Sequence, residues 1–129
     1  MTDQNVKINY LNHIVLTIKS IAKTKNFYSK VLGKPKYSDK YQIMYQFGKT
    51  KLFLATPYRK IQKSDKFDPN RIGLEHLAFG VASLGDLARI EKKLNKEKVK
   101  NSGIHTDKHS KKEKIWLNDP DSIRLEFFL

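Results

Sequence analysis

The chain of 129 residues contains no cysteine. Disulfide bonds and thiolate zinc sites are therefore excluded, and any metal ion bound by this chain has to be held by nitrogen and oxygen ligands. Long apolar runs are also missing, since no stretch approaches the roughly 20 residues of a membrane-spanning helix. The opening segment MTDQNVKINY lacks the basic region and apolar core of a secretory leader. The sequence therefore predicts a cytoplasmic protein without a membrane anchor.

Acidic residues are few in this chain. Thirteen Asp and Glu stand against 26 Lys and Arg, which gives a formal net charge of +13. Lysine supplies 22 of the basic residues, and these lysines are spread along the chain instead of clustering with arginine and exposed aromatics as in a nucleic-acid reader. The pattern favours a lysine-rich solvated surface first and an anionic small-molecule substrate second. Nucleic-acid binding ranks only third.

An internal repeat organises the sequence. The decapeptides LNHIVLTIKS at 11–20 and LEHLAFGVAS at 74–83 agree in kind at nearly every place, and each has a histidine third, His13 and His76. Each apolar run predicts a strand, and each is followed by a helical pattern and a hairpin pattern. Both halves therefore predict the order β-α-β-β-β, which is an α+β fold made of two tandem modules.

The length of the chain allows one ordinary domain with a real core and is too short for two independent domains. We therefore expect a single domain at 1–129. Module 1 is predicted at about 8–57, a polar, proline-containing linker at about 58–72, and module 2 at about 73–129.

Capping and turn signals predict the bounds of several elements. Ser20 suits the N-cap of a helix that Gly33 ends, and Ser83 with Asp86 three positions later is a typical helix start. The segments YQIMYQF and TKLFLAT flank the turn GK, and the segments KIWL and IRLEFFL flank NDPDS. Both arrangements are typical of β-hairpins.

Two histidines and one carboxylate form a candidate metal site. Strand alternation puts His13 and His76 on faces opposite the packed apolar residues, and the small Ala78 and Gly80 leave space beside His76. Glu126 lies on the same kind of face of the last strand, where a buried carboxylate requires a partner. With each residue predicted in the middle of a strand, we expect one divalent ion (Mn, Fe, Ni, Co or Zn) per site.

Each of these residues also has a simpler explanation. A single strand histidine is more often a satisfied core residue, and a single late glutamate is more often paired with a cation, here Arg124 or Lys51. The repeat-matched positions of the two histidines favour the metal site over these separate explanations. His105 and His109 lie in a lysine-rich loop and are predicted to be solvated surface residues.

The stretches LNHIVLTIKS, FYSKVLG, LEHLAFGVAS and NDPDSIRLEFF together resemble the vicinal oxygen chelate superfamily, and they are spread over residues 11 to 129. This superfamily includes glyoxalase I, fosfomycin-inactivating enzymes, extradiol dioxygenases and bleomycin-binding proteins. The resemblance implies two β-α-β-β-β modules that form a half-barrel cleft around a metal at His13, His76 and Glu126. The second half is most similar to fosfomycin thiol transferases, which implies a homodimer in which His13 of one chain faces His76 and Glu126 of the other.

The sequence departs from these relatives at several positions. Glyoxalase I adds a fourth ligand, and the internal repeat puts that position at Leu54, which cannot ligate. The fosfomycin enzymes carry a threonine where this chain has Val15. The DPDG turn of the family reads DPDS, which is tolerable if Ser122 avoids positive φ. Trp116 matches a pocket position of the fosfomycin group and is predicted to bind substrate.

The sequence therefore predicts a divalent-metal-dependent enzyme that binds a small oxygen-rich substrate through two oxygens and stabilises an oxyanion. A lyase, isomerase or thiol-transferase reaction fits this description, and no residue is assigned as the general base. The alternative is a metal-free small-molecule or drug-binding protein of the bleomycin-resistance type. In such a protein, alanine at His13 and Glu126 would be tolerated.

Overall fold

The computed structural model describes residues 5–129, so the first four residues of the predicted domain lie outside the described residues. Two sets of elements follow each other in the same order. The first set is β1 (His13–Thr17), α1 (Ile21–Leu32), β2 (Tyr37–Ser38), β3 (Gln42–Phe47) and β4 (Thr50–Ala55). The second set is β5 (Leu77–Gly80), α2 (Leu84–Lys96), β6 (His105–Thr106), β7 (Glu113–Asn118) and β8 (Arg124–Phe128). Within residues 5–129, neither helix has the length and apolar character that crossing a membrane requires.

Each set forms its own four-stranded sheet. The strand order is β1-β4-β3-β2 in the first sheet and β5-β8-β7-β6 in the second. In both sheets the first strand pairs in parallel with the last strand, and the remaining neighbours are antiparallel. The predicted α+β fold of two tandem β-α-β-β-β modules is therefore confirmed. The predicted linker at 58–72 contains no helix or strand, and the module limits stay a prediction.

The two helices begin where their caps predict. Ser20 Oγ accepts a hydrogen bond from the Lys23 N–H at 3.2 Å, and Ser83 Oγ accepts one from the Asp86 N–H at 3.1 Å. Helix α1 ends before Gly33, whose φ of 85° is a left-handed value that a side chain would disfavour. The capping signals in the sequence were therefore sufficient to locate both helix starts.

Alternate residues of both sheets form one hydrophobic core. Leu16 on β1, Leu54 on β4, Ile115 on β7 and Leu125 on β8 all belong to the same buried cluster. Each such aliphatic side chain contributes about 1.5–3 kcal/mol through its removal from water. The opposite faces of the two sheets point away from this cluster, as the 55% exposed Val15 illustrates on β1. These opposite faces carry the candidate site residues, and we call them the open faces.

A buried hydrogen bond joins the two modules. The Tyr28 hydroxyl on α1 donates to Oδ2 of Asp119 at 2.8 Å. Oδ1 of Asp119 accepts from the N–H groups of Asp121 and Ile123, so this carboxylate also holds the turn between β7 and β8. Burial is the main reason that the pKa of Asp119 is raised. The turn that leads into β8 is therefore fixed relative to the first module.

Candidate metal site

His76 and Glu126 lie together on the open face of the second sheet. Ala78 of β5 pairs with Glu126 in the parallel register, which brings the start of β5 beside the middle of β8. Nε2 of His76 lies 3.7 Å from Oε1 of Glu126, and the glutamate side chain is only 3% exposed. With metal–ligand bonds of about 2.0–2.2 Å, two donors of one ion lie within roughly 4 Å of each other. This pair is therefore close enough to share a cation.

Glu75 determines which nitrogen of His76 is free. Nδ1 of His76 lies 2.5 Å from Oε1 of Glu75. An ionised carboxylate only accepts hydrogen bonds, so Nδ1 donates to Glu75 and Nε2 is the nitrogen that faces Glu126. The hydrogen bond to His76, followed by the attraction of that ring, lowers the pKa of Glu75. Carboxylates commonly orient metal-binding histidines in this way. Sequence reasoning missed Glu75, although it directly precedes His76.

His13 lies on the other sheet and does not join the pair. It is exposed, and its Nδ1 lies 2.9 Å from Oδ1 of Asn12, so the residue before the histidine is the ring's partner in both modules. Its ring also packs edge to face on Phe53, with the centroids 6.0 Å apart. Among residues 5–129, no three His, Asp or Glu side chains are grouped so that they could hold a metal ion. One chain therefore brings together two of the three predicted ligands.

The predicted position of the histidines within their strands was wrong. His13 is the first residue of β1, and His76 precedes β5 by one residue, whereas Glu126 does lie in the middle of β8. Both histidines therefore lie at strand starts, where the chain enters the sheet and a ring has more room. His105 and His109 are both exposed, as the sequence predicted.

Lys114 is the charge partner of Glu126. Its Nζ lies 3.3 Å from Oε1 of Glu126 and 3.1 Å from Oδ1 of Asp107. The expected partners Arg124 and Lys51 were wrong, because the antiparallel register of β7 and β8 brings Lys114 diagonally beside Glu126. Burial opposes the charge of Lys114, but the hydrogen bonds and charges of Asp107 and Glu126 outweigh burial and raise its pKa. Lys114 is therefore a stable cation at this site.

Trp116 lies directly across from Glu126. The two residues are register partners of β7 and β8, so they share the open face of the second sheet. The guanidinium carbon of Arg124 lies 4.3 Å from the centroid of the Trp116 ring, which is a cation–π contact. The predicted contact of Trp116 with substrate stays a prediction, and its position beside the His76–Glu126 pair is compatible with that role.

The sequence pattern of one family covers nearly the whole chain. The model of the Glyoxalase/Bleomycin resistance protein/Dioxygenase superfamily matches residues 10–127. The chain belongs to this superfamily. The resemblance of the four sequence stretches is thereby confirmed, because this is the vicinal oxygen chelate group under another name.

Several known proteins are similar to this chain along most of its length. "Uncharacterized protein YaeR" of Escherichia coli (strain K12) is 30% identical over 127 residues, which cover 94% of this chain and 96% of that protein. "Probable trivalent organoarsenical cleaving enzyme" of Bacillus subtilis (strain 168) is 28% identical over 120 residues, which cover 90% of this chain and 77% of that protein. The solved structure of a glyoxylase/bleomycin resistance protein/dioxygenase domain from Frankia sp. EAN1pec shares the fold, with a TM-score of 0.77 at 23% identity. The match covers 95% of this chain and 98% of that one.

The sheet registers correct the position of the fourth ligand of glyoxalase I. Val15 and Ala78 are equivalent positions, because each follows its histidine by two residues. Val15 pairs with Phe53 in the first sheet, and Ala78 pairs with Glu126 in the second. The equivalent of Glu126 is therefore Phe53, and the prediction of Leu54 was wrong by one residue. Leu54 is fully buried in the core. Phenylalanine also lacks a ligand atom, so the first sheet offers no fourth ligand at this position.

Ser122 does not avoid positive φ, contrary to the condition under which serine is tolerable in the DPDS turn. Its φ is 67°, in the left-handed region that favours glycine. Ser122 also lines a large cavity, together with Arg124. The departure from the superfamily's glycine therefore places a strained residue next to the open face of the second sheet.

Proposed function

We propose that this protein is a divalent-metal-dependent enzyme of the glyoxalase superfamily whose ligands are His76 and Glu126 of one chain and His13 of a second chain. The observation that carries the proposal is the 3.7 Å approach of His76 Nε2 to the buried Glu126 carboxylate. The donor set of imidazole and carboxylate suits Mn, Fe, Ni, Co or Zn. We propose one such ion per site.

The local geometry of the three ligands supports this assignment. Glu75 and Asn12 each accept from Nδ1 of the following histidine, which leaves Nε2 of both rings free to bind a cation. His76 and Glu126 alone leave the coordination incomplete, and His13 stands exposed on the open face of the other module. A homodimer in which the open face of module 1 meets the open face of module 2 of another copy would complete the set.

When bound, the cation would supply Lewis-acid stabilisation of the negative charge that develops on substrate oxygens. The side chains around it have separate roles. Lys114 donates to Glu126 and adds a positive charge near an anionic oxygen. Trp116 offers a flat apolar wall across from Glu126 that excludes water and orients the substrate. Glu126 is engaged as a ligand in this scheme, so proton transfer falls to another group.

The name of the Bacillus subtilis relative refers to cleavage of trivalent organoarsenicals. Trivalent arsenic is a soft centre, and soft centres prefer thiolate ligands. This chain contains no cysteine, so its own side chains offer no thiolate to such a substrate. We therefore propose a substrate that is recognised through oxygen atoms, and a lyase, isomerase or transferase reaction on it.

One observation favours the alternative of a metal-free binding protein. The ammonium group of Lys114 already compensates the buried charge of Glu126, so this carboxylate has a partner without any metal. In that case Glu126→Ala and His13→Ala would leave ligand binding unchanged. The two functions therefore differ in whether alanine at His13 and Glu126 abolishes ligand binding.

Metal content tests the proposed function. Protein purified without chelator or metal-affinity resin is expected to contain about one divalent ion per chain by elemental analysis. His76→Ala is expected to lose this ion because it removes the free imidazole nitrogen, whereas the control His105→Ala replaces an exposed histidine of β6 and should keep it. Wild-type protein that holds no stoichiometric metal, and whose melting temperature does not respond to added Mn, Fe, Co, Ni or Zn, would contradict the proposal.

A further inference from the structure

A cavity lies between the segment 59–71 and the end of the second sheet. Its volume is about 820 Å³. Segment 59–71 forms one wall, and Asn118, Ser122 and Arg124 from β7, β8 and their turn form the other. We call this space the linker cavity. It is large enough for a small molecule, and it opens beside the face that carries His76 and Glu126.

The linker cavity has an excess of positive charge. Two acidic residues line it, Asp65 and Asp68, against five basic ones, which are Arg59, Lys60, Lys66, Arg71 and Arg124. Across residues 5–129, none of these five cations has a carboxylate within 4.0 Å. Oδ1 of Asp68 is engaged by the N–H of Asn70 in its own loop. Arg124 is still close enough to Glu75 for its charge to contribute to lowering the pKa of that carboxyl, so the cavity presents a net excess of positive charge and not a wholly unbalanced one.

Arg124 is the cation of this group that contacts an aromatic ring. Its guanidinium group is held over the Trp116 ring at 4.3 Å, so its position is fixed by an aromatic contact. Its Nε is buried, yet it donates to no acceptor among the described residues. A buried donor without a partner requires an explanation, and an acceptor supplied by a ligand provides one. The planar guanidinium fork suits a carboxylate, phosphate or phosphonate oxygen pair.

Arg124 also connects the linker cavity to the candidate metal site. Arg124 and Glu126 are two residues apart on the same face of β8, a spacing of roughly 7 Å along a strand. Trp116 pairs with Glu126 in register and carries Arg124 on its ring, so it lies between the two positions. A molecule that contacts both Arg124 and the His76–Glu126 pair therefore needs only a few bonds between its two polar groups.

We propose that Arg124 and the linker cavity bind the oxyanionic end of the substrate, a phosphonate, phosphate or carboxylate group, while its other oxygens reach the His76–Glu126 pair. The substrate class is thus a small anion with two separated oxygen functions. The second half of this statement rests on the proposed metal-dependent function. The first half concerns the chain's own residues and holds for metal-free protein.

The experiment is calorimetric titration of chelator-treated protein with phosphonoacetate at fixed ionic strength. Saturable binding of about one molecule per chain is expected. Arg124→Gln should weaken it roughly tenfold or more, because a charge-assisted bidentate contact is removed. The matched control Arg89→Gln removes an exposed arginine of α2 that does not line the cavity, and should bind like the wild type. Arg71→Gln, on the opposite wall, should also weaken binding and serves if Arg124→Gln fails to fold by circular dichroism.

Three outcomes would overturn the assignment of the cavity. The first is that Arg124→Gln and Arg71→Gln both bind phosphonoacetate as tightly as the wild type. The second is that Arg89→Gln loses as much affinity as they do, which would mean that binding follows diffuse surface charge. Displacement of phosphonoacetate by a DNA oligonucleotide with steep salt dependence would indicate a nucleic-acid surface instead. The proposed metal function is tested separately. If phosphonoacetate binds through Arg124 but added divalent ions do not raise its affinity, the anion site is supported and the metal site is contradicted.

Discussion

At the scale of single residues, Ser122 combines strain with a position at the linker cavity. Its left-handed φ of 67° costs a residue with a side chain about 1–2 kcal/mol. Glycine would avoid this cost. It would also lower the stability by about 0.5–1 kcal/mol, because an unfolded chain with glycine at this position has more conformational freedom to lose on folding. Because Ser122 also lines the cavity, we interpret the strain as a cost tolerated for contact with a ligand.

Ser122→Gly is therefore expected to stabilise the protein by up to about 1.5 kcal/mol, the difference between these two costs. Urea unfolding of the wild type and the variant at one pH measures the free energy of unfolding. Ser122→Ala is the control, because alanine keeps the strained backbone and should not raise stability. A glycine variant that is less stable than the wild type would show that the serine hydroxyl, and not the backbone, dominates at this position.

At the scale of elements, the loop between β6 and β7 is organised by one carboxylate. Oδ2 of Asp107 accepts from the N–H groups of His109 and Ser110, at 3.2 and 2.8 Å, and Oδ1 pairs with Lys114 at 3.1 Å. The backbone hydrogen bond from Ser110, followed by the bond from Lys114, lowers the pKa of Asp107 well below its usual range. Since Lys114 also contacts Glu126, this loop supports the candidate site from one side.

The lowered pKa of Asp107 predicts an acid-dependent loss of stability. The unfolded chain takes up the proton near the ordinary pKa of 3.8, whereas the folded chain resists protonation to lower pH. The stabilisation is thus complete above that pH and is lost as pH falls below it. Denaturant unfolding between about pH 2 and 6 should show this slope in the wild type and a weaker slope in Asp107→Asn. Above about pH 6 the dependence of stability on pH should be the same in the wild type and in Asp107→Asn, which is the internal control.

The elements differ in how well sequence reasoning located them. Helices of 12 and 13 residues with serine caps were predictable, because their period and capping are local properties. The two-residue strands β2 and β6 were not located, since alternation cannot be read over two positions. The equivalence of Glu126 to Phe53 was missed by one residue, because a strand register is fixed by pairing with another strand and the two modules differ in length.

At the scale of the whole molecule, the candidate ligands divide between two surfaces. His76 and Glu126 share the open face of the second sheet, and His13 lies on the open face of the first. The core faces of both sheets are occupied by one cluster inside the chain, so the open faces are the surfaces left for another copy. A site shared between two copies therefore requires both the fold and the assembly to be intact.

Mixing two inactive variants tests the shared site. His13→Ala and Glu126→Gln homodimers are each expected to lack metal. After unfolding together and refolding, half of the dimers should be mixed, and each mixed dimer keeps one intact site and one doubly altered site. Metal content should therefore recover to about a quarter of the wild-type value. Elemental analysis of the refolded mixture provides the measurement.

Refolding each variant alone is the control for this experiment and should recover no metal. Sedimentation analysis of the wild type should give the mass of a dimer. A mixture that stays metal-free although mixed dimers form, or a monomeric wild type that holds stoichiometric metal, would rule out the sharing of ligands between chains.

The sequence alone determined the duplicated module, the two helices with their caps, the hairpins and the faces on which His13, His76 and Glu126 lie, because periodicity, capping and strand alternation act over a few neighbouring residues. Only the tertiary structure decided that His76 and Glu126 meet, that Lys114 and Glu75 are their partners, that His13 lies apart, and that Arg124 opens onto a basic cavity. These relations depend on strand pairing and on the packing of one sheet against another, which join residues distant in the chain, and no local pattern encodes them.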